Sequence, residues 1–129
     1  MKKVWVNGCF DVLHRGHLEL FKFAKSQGDF LVVGIDCDKR VAKNKGPSRP
    51  INNEQDRKFV LESIKFIDKV VVFTNDDELR SCISIHDIDY LIVGSDWRGK
   101  EVIGSEYAKD LIFFDRIGDY STTNILEGK

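Results

Sequence analysis

Short apolar runs that alternate with segments of helical spacing constrain the fold of this chain more than any other feature. The runs are four to six residues long and rich in β-branched and aromatic side chains, which is typical of strands buried on both faces. They occupy residues 3–6, 30–35, 69–73, 90–93 and 111–114. The sequence therefore predicts five strands.

Apolar side chains at helical spacing mark the segments between these runs. The first predicted helix carries Leu20, Phe21 and Ala24 and ends at a glycine C-cap, Gly28. The second begins at the caps Asn52 and Asn53. Its apolar side chains are predicted to face the sheet, and these are Phe59, Val60 and Ile64.

A third helix is predicted over residues 77–86, and Ser121 is placed to cap a short helix near the C-terminus. Alternating strands and helices indicate a mostly parallel sheet with right-handed crossovers. We therefore expect a single α/β domain over residues 1–129, Rossmann-like, with five strands and helices on both faces. Ligands of such sheets bind at the carboxyl ends of the strands.

Charge and hydropathy exclude several classes of function. Twenty basic and 21 acidic residues give a net charge of −1, so no global field attracts nucleic acid or an anionic membrane. The apolar runs are too short to span a bilayer, and the run after Met1 is too short for a signal peptide. Three cysteines without a C-x-x-C pair indicate reduced thiols. We expect a cytoplasmic protein.

The motif H-x-G-H follows the first predicted strand, as His14-Arg15-Gly16-His17. Two imidazoles at a helix N-terminus offer N–H donors where free amides and the helix dipole already favour a phosphate. The dipole disfavours a cationic His17, so the imidazole donors are expected to be neutral. The spacing differs from that of zinc proteases, and no third ligand is evident. Phosphate chemistry is the prediction.

Residues 94–100 match the P-loop pattern G-x-x-x-x-G-K, but we interpret the match as accidental. Glu101 stands where a P-loop has the Ser or Thr that holds magnesium. Trp97 is also too bulky for a loop that wraps phosphates closely.

The segment Gly8-Cys9-Phe10-Asp11, the H-x-G-H motif and Ser121-Thr122-Thr123 together resemble the cytidylyltransferase-like family of nucleotidylyltransferases. Within that family, residues 45–52, 102–106 and 121–125 resemble the adenylyltransferase domain of ADP-heptose synthases. Residues 94–100 and Arg116 are similar instead to glycerol-3-phosphate cytidylyltransferases. The resemblance covers nearly the whole chain.

The resemblance implies that a substrate phosphate attacks the α-phosphorus of a nucleoside triphosphate and releases pyrophosphate. It implies catalytic roles for His14, His17, Lys45 and Arg116. Nucleotide or phosphate binding is implied for Gly8, Cys9, Phe10, Gly16, Gly94, Asp96, Trp97, Ser121, Thr122 and Thr123, and substrate binding for Asp11, Asp38 and Arg57. Plain structural roles stay open for several of these: a turn cap (Asp38 and Asp96), orientation of the loop (Asp11), a helical salt bridge (Arg57) and a helix N-cap (Ser121). No protein metal site is expected, because Mg²⁺ arrives with the nucleotide.

The predicted partners are ATP or CTP and a phosphorylated sugar or polyol, with ATP and a heptose 1-phosphate favoured. A homodimer is also expected, because Phe21, Phe23 and Phe66 exceed what a short sheet covers. The alternatives are a glycerol-3-phosphate cytidylyltransferase, an adenylyltransferase for a cofactor phosphate such as flavin mononucleotide, and a non-catalytic nucleotide-binding domain.

Overall fold

The computed structural model describes residues 1–115, which form five strands and four α-helices. The strands are β1 (Lys3–Gly8), β2 (Phe30–Asp36), β3 (Lys69–Phe73), β4 (Tyr90–Gly94) and β5 (Asp110–Phe114). The helices are α1 (Arg15–Ser26), α2 (Asp38–Lys45), α3 (Glu54–Glu62) and α4 (Asp76–Ile85). Two short 3₁₀ helices span Ser95–Trp97 and Ser105–Tyr107. The five predicted strands are confirmed, and each begins or ends within two residues of its predicted bounds.

All the strands are parallel, in the order β3-β2-β1-β4-β5. The chain adds β2 and β3 on one side of β1 and then crosses to the other side for β4 and β5. The direction in which strands are added therefore reverses between β1 and β4, which is the topological switch point of the sheet. The β1–β2 ladder runs its full length, to Gly8 opposite Ile35. The β1–β4 ladder has only two pairs, the second of which joins Trp5 to Leu91. The carboxyl ends of β1 and β4 are therefore not paired.

Hydrophobic clusters cover both faces of the sheet, as the sequence predicts. On one face, Val4 and Val6 pack with side chains of α1 and α3, among them Phe21 and Leu61. On the other face, Trp5 packs with side chains of α4, which are Leu79 and Ile83. Alternate β1 side chains thus enter opposite cores, as a strand period of two requires.

Two local predictions are corrected. Residues 38–45, where no helix is predicted, form α2, whose buried side chain is Val41. The predicted glycine C-cap is also wrong, because α1 ends at Gln27 in a right-handed conformation. Gly28 instead permits a close approach, since a Cβ there would lie 2.7 Å from the Val4 side chain and 2.8 Å from the Lys2 carbonyl oxygen.

Helix α3 begins where predicted but is rotated differently about its axis. Asn53 caps it, and its side chain accepts a hydrogen bond from the Asp56 amide. The buried residues are Arg57 and Leu61, one turn apart. Phe59 and Val60 are therefore turned away, and they are 72% and 48% exposed. The prediction that these two side chains face the sheet is wrong.

The three aromatic residues from which the sequence analysis predicts a homodimer lie in or against the core. Phe21 is fully buried, and Phe23 and Phe66 pack against the same cluster. Exposed apolar surface is found instead at Phe59 and Val60. No helix among residues 1–115 is long and apolar enough to cross a membrane. The short helix predicted from Ser121 lies outside the described residues.

The orientation of α3 predicts that two Phe→Ala substitutions lower the free energy of unfolding by different amounts. Phe59→Ala should change the free energy of unfolding by less than about 0.5 kcal/mol, because an exposed ring loses little packing. Phe73→Ala should cost about 3–5 kcal/mol, because that ring is fully buried. Urea denaturation of both variants measures the difference, and similar costs would contradict the observed orientation of α3.

Candidate active site

The loop between β1 and α1 turns sharply directly after the strand. Phe10 has a φ of 48°, a left-handed conformation that non-glycine residues adopt rarely and that clusters at functional sites. This turn folds the Phe10 ring back over Gly8, where a Cβ would lie 3.0 Å from the ring. Gly8 is therefore needed for the close approach of the Phe10 ring. We call residues 9–14 the phosphate loop, because the sequence predicts that this loop binds phosphate.

The two histidines of the motif lie together at the start of α1. His14 is the N-cap and His17 lies in the first turn. Their rings stack, with centroids 3.9 Å apart and planes 26° apart. The His14 amide donates to Nδ1 of His17 over 3.2 Å. Since Nδ1 accepts, the proton of the neutral His17 ring is on Nε2, which leaves Nε2–H as a donor.

His17 is held in its neutral form. Burial lowers its pKa to about 4, and the charges of His14 and Lys45 act in the same direction. The sequence predicts a neutral imidazole from the helix dipole, and the structure gives burial as the first cause. At neutral pH the site thus contains a hydrogen-bond donor that carries no charge.

Arg57 is a buried anchor beneath this loop. It is 1% exposed, and its guanidinium makes four hydrogen bonds to three segments of chain. The acceptors and distances are the carbonyl oxygens of Asn52 (3.1 Å), Cys9 (2.9 Å) and Asp36 (2.8 Å) and the carboxylate of Asp38 (2.8 Å). Arg57 therefore joins the carboxyl ends of β1 and β2 to the start of α3. These bonds give Arg57 a positioning role in the fold, and its contact with substrate stays a prediction from the sequence.

The bond from Arg57 to Cys9 also orients the next amide. The Cys9 carbonyl and the Phe10 N–H belong to one planar trans peptide, so they point in opposite directions. Because the Cys9 carbonyl points toward the Arg57 guanidinium, the Phe10 N–H points away from it. Neither the Cys9 amide nor the Phe10 amide has an acceptor among residues 1–115. Burial raises the pKa of the Cys9 thiol, so this residue offers its amide rather than a thiolate.

Asp11 fastens the other side of the loop. Its buried carboxylate accepts from the amides of Ile51 (2.6 Å) and Asn52 (2.8 Å) and from Nε of Arg49 (3.3 Å). The Asn52 side chain returns a bond to the Asp11 carbonyl oxygen. A buried carboxylate needs such partners. These bonds give Asp11 an anchoring role in the loop, and its contact with substrate stays a prediction from the sequence.

Lys45 and Asp38 lie at the two ends of α2, beside the same loop. Lys45 is exposed, and its charge lowers the pKa of His17 and opposes the rise in the pKa of Cys9. The positive charge of Lys45 is therefore felt at His17 and Cys9. A cation in this position is suited to bind an anion at the same loop. Asp38 is 38% exposed at its side chain and pairs with Arg57.

Gly94, Asp96 and Trp97 lie at the end of the neighbouring strand β4 and in the 3₁₀ helix that follows. A Cβ on Gly94 would lie 2.6 Å from an Asp96 carboxylate oxygen, so the carboxylate folds over the glycine. Within residues 95–115 no α-helix follows this loop, and Lys100 Nζ lies 5.9 Å from the centroid of the Trp97 ring. A P-loop requires such a helix, which supports the interpretation of residues 94–100 as an accidental match.

The remaining predicted site residues are Arg116, Ser121, Thr122 and Thr123, and they lie outside the described residues. Within the described part of the chain, no three His, Cys, Asp or Glu side chains cluster as metal ligands. Three carboxylates in this loop and at the end of β2 are paired with arginines, as Asp11–Arg49, Asp36–Arg40 and Asp38–Arg57. These residues do not form a magnesium cage.

The family model for cytidylyltransferase-like proteins matches residues 5–126, nearly the whole chain. The chain belongs to the cytidylyltransferase-like family. This membership confirms the predicted family and fold class and indicates a nucleotidyltransferase. The H-x-G-H motif of this family member lies within the matched range, at residues 14–17.

Curated relatives resemble this cytidylyltransferase-like chain over almost its full length. It is 43% identical to the bifunctional protein HldE of Campylobacter concisus over 126 residues, which are 98% of this chain and 26% of that protein. The HldE of Helicobacter pylori strain P12 is 44% identical over 126 residues, with 98% and 27% covered. The chain thus spans about a quarter of the length of the curated relatives it matches.

Two solved structures share the fold. The lipopolysaccharide core biosynthesis protein from Thermoplasma volcanium GSS1 superposes with a TM-score of 0.71 and 27% identity, with 94% of this chain and 99% of that one covered. A protein of unknown function from Archaeoglobus fulgidus has a TM-score of 0.66 at 21% identity, with 94% of each chain covered. The second likeness shows the fold alone.

The lowered pKa of His17 predicts a loss of stability in acid. Between pH 6.5 and 4 the unfolded chain binds a proton that the folded chain excludes, so the free energy of unfolding falls as the pH falls. The His17 contribution should be on the order of 2 kcal/mol lower at pH 5 than at pH 8. Urea denaturation at both pH values measures it as the difference in pH dependence between wild type and His17→Gln. Equal pH dependence in the two proteins would contradict a buried, neutral His17.

Proposed function

We propose that this domain transfers a nucleoside monophosphate from a nucleoside triphosphate to a phosphorylated sugar or polyol and releases pyrophosphate. The favoured reaction is adenylyl transfer from ATP to a heptose 1-phosphate. The observation that carries the proposal is the neutral Nε2–H of His17 at the N-terminus of α1, preceded by a loop in which the Cys9 and Phe10 amides have no acceptor among residues 1–115. Uncharged donors at a helix N-terminus suit a phosphate.

The reaction places developing charge where these donors can stabilise it. A phosphate oxygen of the acceptor attacks the α-phosphorus while the bond to the pyrophosphate oxygen breaks. Negative charge then grows on the α-phosphoryl and leaving oxygens, and fixed donors in a partly buried site lower the barrier. His14 and His17 supply imidazole donors, and Lys45 supplies a cation for the triphosphate. No residue needs to form a covalent intermediate.

The choice of ATP and a heptose phosphate rests on the curated relatives and on local sequence. The HldE proteins match this chain over 126 residues, including the Lys45-Gly46-Pro47-Ser48-Arg49-Pro50 segment that resembles adenylyltransferases. In the structure this segment is held against the phosphate loop by Asp11, which accepts from Arg49 and Ile51. A segment fixed beside the reacting phosphates is well placed to affect the choice of acceptor.

The second candidate is transfer from CTP to glycerol 3-phosphate. It is favoured by the loop after β4, where Asp96 folds over Gly94 and Trp97 is 46% exposed. A half-exposed indole beside a carboxylate offers a stacking surface and an acceptor for a nucleotide base. A non-catalytic nucleotide-binding domain is the third candidate, and it predicts binding without pyrophosphate release.

Three further expectations accompany this proposal. We expect Mg²⁺ to arrive bound to the triphosphate, because the carboxylates of Asp11, Asp36 and Asp38 pair with arginines. We expect a homodimer, for which the exposed side chains of Phe59 and Val60 offer apolar surface. We also expect the protein to act in the cytoplasm, without nucleic acid or membrane as a partner.

A substrate matrix tests the proposed reaction. Pyrophosphate release is measured for four nucleoside triphosphates against heptose 1-phosphate, glycerol 3-phosphate and flavin mononucleotide. We expect ATP with heptose 1-phosphate to give the highest kcat/KM, and the preference to be sharp because the wrong base leaves buried groups unpaired. A preference for CTP above about tenfold would promote the glycerol phosphate reaction. Binding without turnover on every acceptor would favour the non-catalytic domain.

The histidine pair should be needed for turnover. His17→Ala should lower kcat by roughly 10² to 10³, and His14→Ala nearly as much, because each removes a transition-state donor. Lys100→Ala is the control, because Lys100 is the lysine of the accidental P-loop match and has no role in the proposed site. The turnover of this variant should stay within about tenfold of wild type. Steady-state pyrophosphate release measures all three. Wild-type turnover in either histidine variant, or a loss in Lys100→Ala as large as in His17→Ala, would contradict the proposed site.

A further inference from the structure

The carboxyl ends of β1 and β4 are not paired with each other, and we call the space between these two strand ends the crevice. The two strands pair only at Val4–Tyr90 and Trp5–Leu91, whereas β1 remains paired to β2 through Gly8. Beyond Trp5 the edge of β1 that faces β4 is therefore free of ladder partners. One wall of the crevice ends in the phosphate loop and the other at Gly94. This is the switch point at which doubly wound sheets bind ligands.

Asn7 is the polar side chain of β1 at this crevice. It lies two residues after Trp5, so both side chains are on the same face of the sheet. Asn7 is half-buried at the end of a strand whose preceding three residues are fully buried. A carboxamide is costly at such a position, because burying a polar group costs free energy unless it is hydrogen-bonded, whereas an apolar side chain has no such desolvation cost.

The indole of Trp5 fixes the orientation of this carboxamide. Trp5 is fully buried, and its single donor, Nε1–H, bonds to Oδ1 of Asn7 over 3.0 Å. The Trp5 ring is itself held tightly, since a Cβ on Gly34 would lie 2.5 Å from it. Because Oδ1 of Asn7 accepts from the Trp5 indole, Nδ2 points away from the indole. Nδ2 has no acceptor among residues 1–115, so its N–H groups are available in the crevice.

We propose that Asn7 is a substrate-contacting residue whose Nδ2–H donates to an oxygen of the phosphorylated substrate bound between β1 and β4. The proposal rests on the proposed function for the identity of the substrates. Nδ2 only donates, so its ligand atom is an acceptor, either a phosphoryl oxygen or a sugar hydroxyl. Either the triphosphate or the acceptor sugar phosphate presents such atoms, and the kinetic constants of the two substrates distinguish them.

Two substitutions separate this hydrogen bond from other effects. Asn7→Ala removes the donor without adding charge. Asn7→Asp keeps an oxygen for the Trp5 indole, so the local fold is retained, and replaces the donor by a carboxylate. Gln27→Glu is the control, because it makes the same amide-to-acid change at the C-terminal end of α1. This helix end lies just before the start of β2 and so away from the carboxyl ends of the strands.

The measurement is KM and kcat for each substrate, with the other saturating. We expect both Asn7 variants to raise the KM of the same substrate about 10- to 100-fold, with kcat within about threefold, as loss of a hydrogen bond to a charged ligand predicts. Gln27→Glu should match wild type. Unchanged KM values in Asn7→Ala, or a KM effect in Asn7→Asp alone, would overturn the proposal, because the second result reports only charge repulsion.

Two further measurements keep the proposal testable. If Asn7→Ala does not fold, Asn7→Asp is assayed at low and high salt: a raised KM that persists in high salt supports the hydrogen bond, and one that disappears overturns it. If wild type turns over no substrate pair, the proposed function fails, and Asn7 is tested by equilibrium binding of ATP, CTP, heptose 1-phosphate and glycerol 3-phosphate. Weaker binding of any of these to Asn7→Ala supports the proposal, whereas equal binding or none overturns it.

Discussion

The buried guanidinium of Arg57 is the interaction on which the site depends. It is 1% exposed and bonds to carbonyl oxygens of the β1 loop, the end of β2 and the start of α3, and also to the Asp38 carboxylate. A buried charge is costly unless its hydrogen bonds are satisfied, so these acceptors must stay in place for the chain to fold. Folding and the geometry of the phosphate loop are thereby linked.

Two other features follow from the same residue. With Arg57 turned toward the sheet, Phe59 lies about 200° around the helix and must face away, which accounts for its exposure. The bond to the Cys9 carbonyl also turns the Phe10 amide away from Arg57, and the Phe10 ring contacts the His17 ring. An exposed aromatic side chain and an available amide donor thus have one cause, although they lie on different elements.

The sequence predicts the fold well because alternating strand and helix periods are local signals, and parallel sheets permit few connections. It also places the phosphate loop, because Gly8 and the H-x-G-H motif lie between a strand and a helix. It fails at α3, where Phe59 and Val60 are apolar but Arg57 takes the inward position. Hydropathy counts an arginine as a surface residue, and only the tertiary acceptors show otherwise. Asn7 is missed for a similar reason, because its orientation depends on the Trp5 indole.

The central claim is that anchored neutral donors, rather than exposed cations alone, hold the reacting phosphates. A crystal structure with a non-hydrolysable triphosphate analogue tests it most directly. We expect phosphate oxygens within about 3 Å of the Phe10 amide and of Nε2 of His17, with the Arg57 guanidinium still bonded to the Cys9 carbonyl oxygen. Phosphates bound at Lys100, or an Arg57 side chain that leaves its acceptors to contact the ligand, would contradict it.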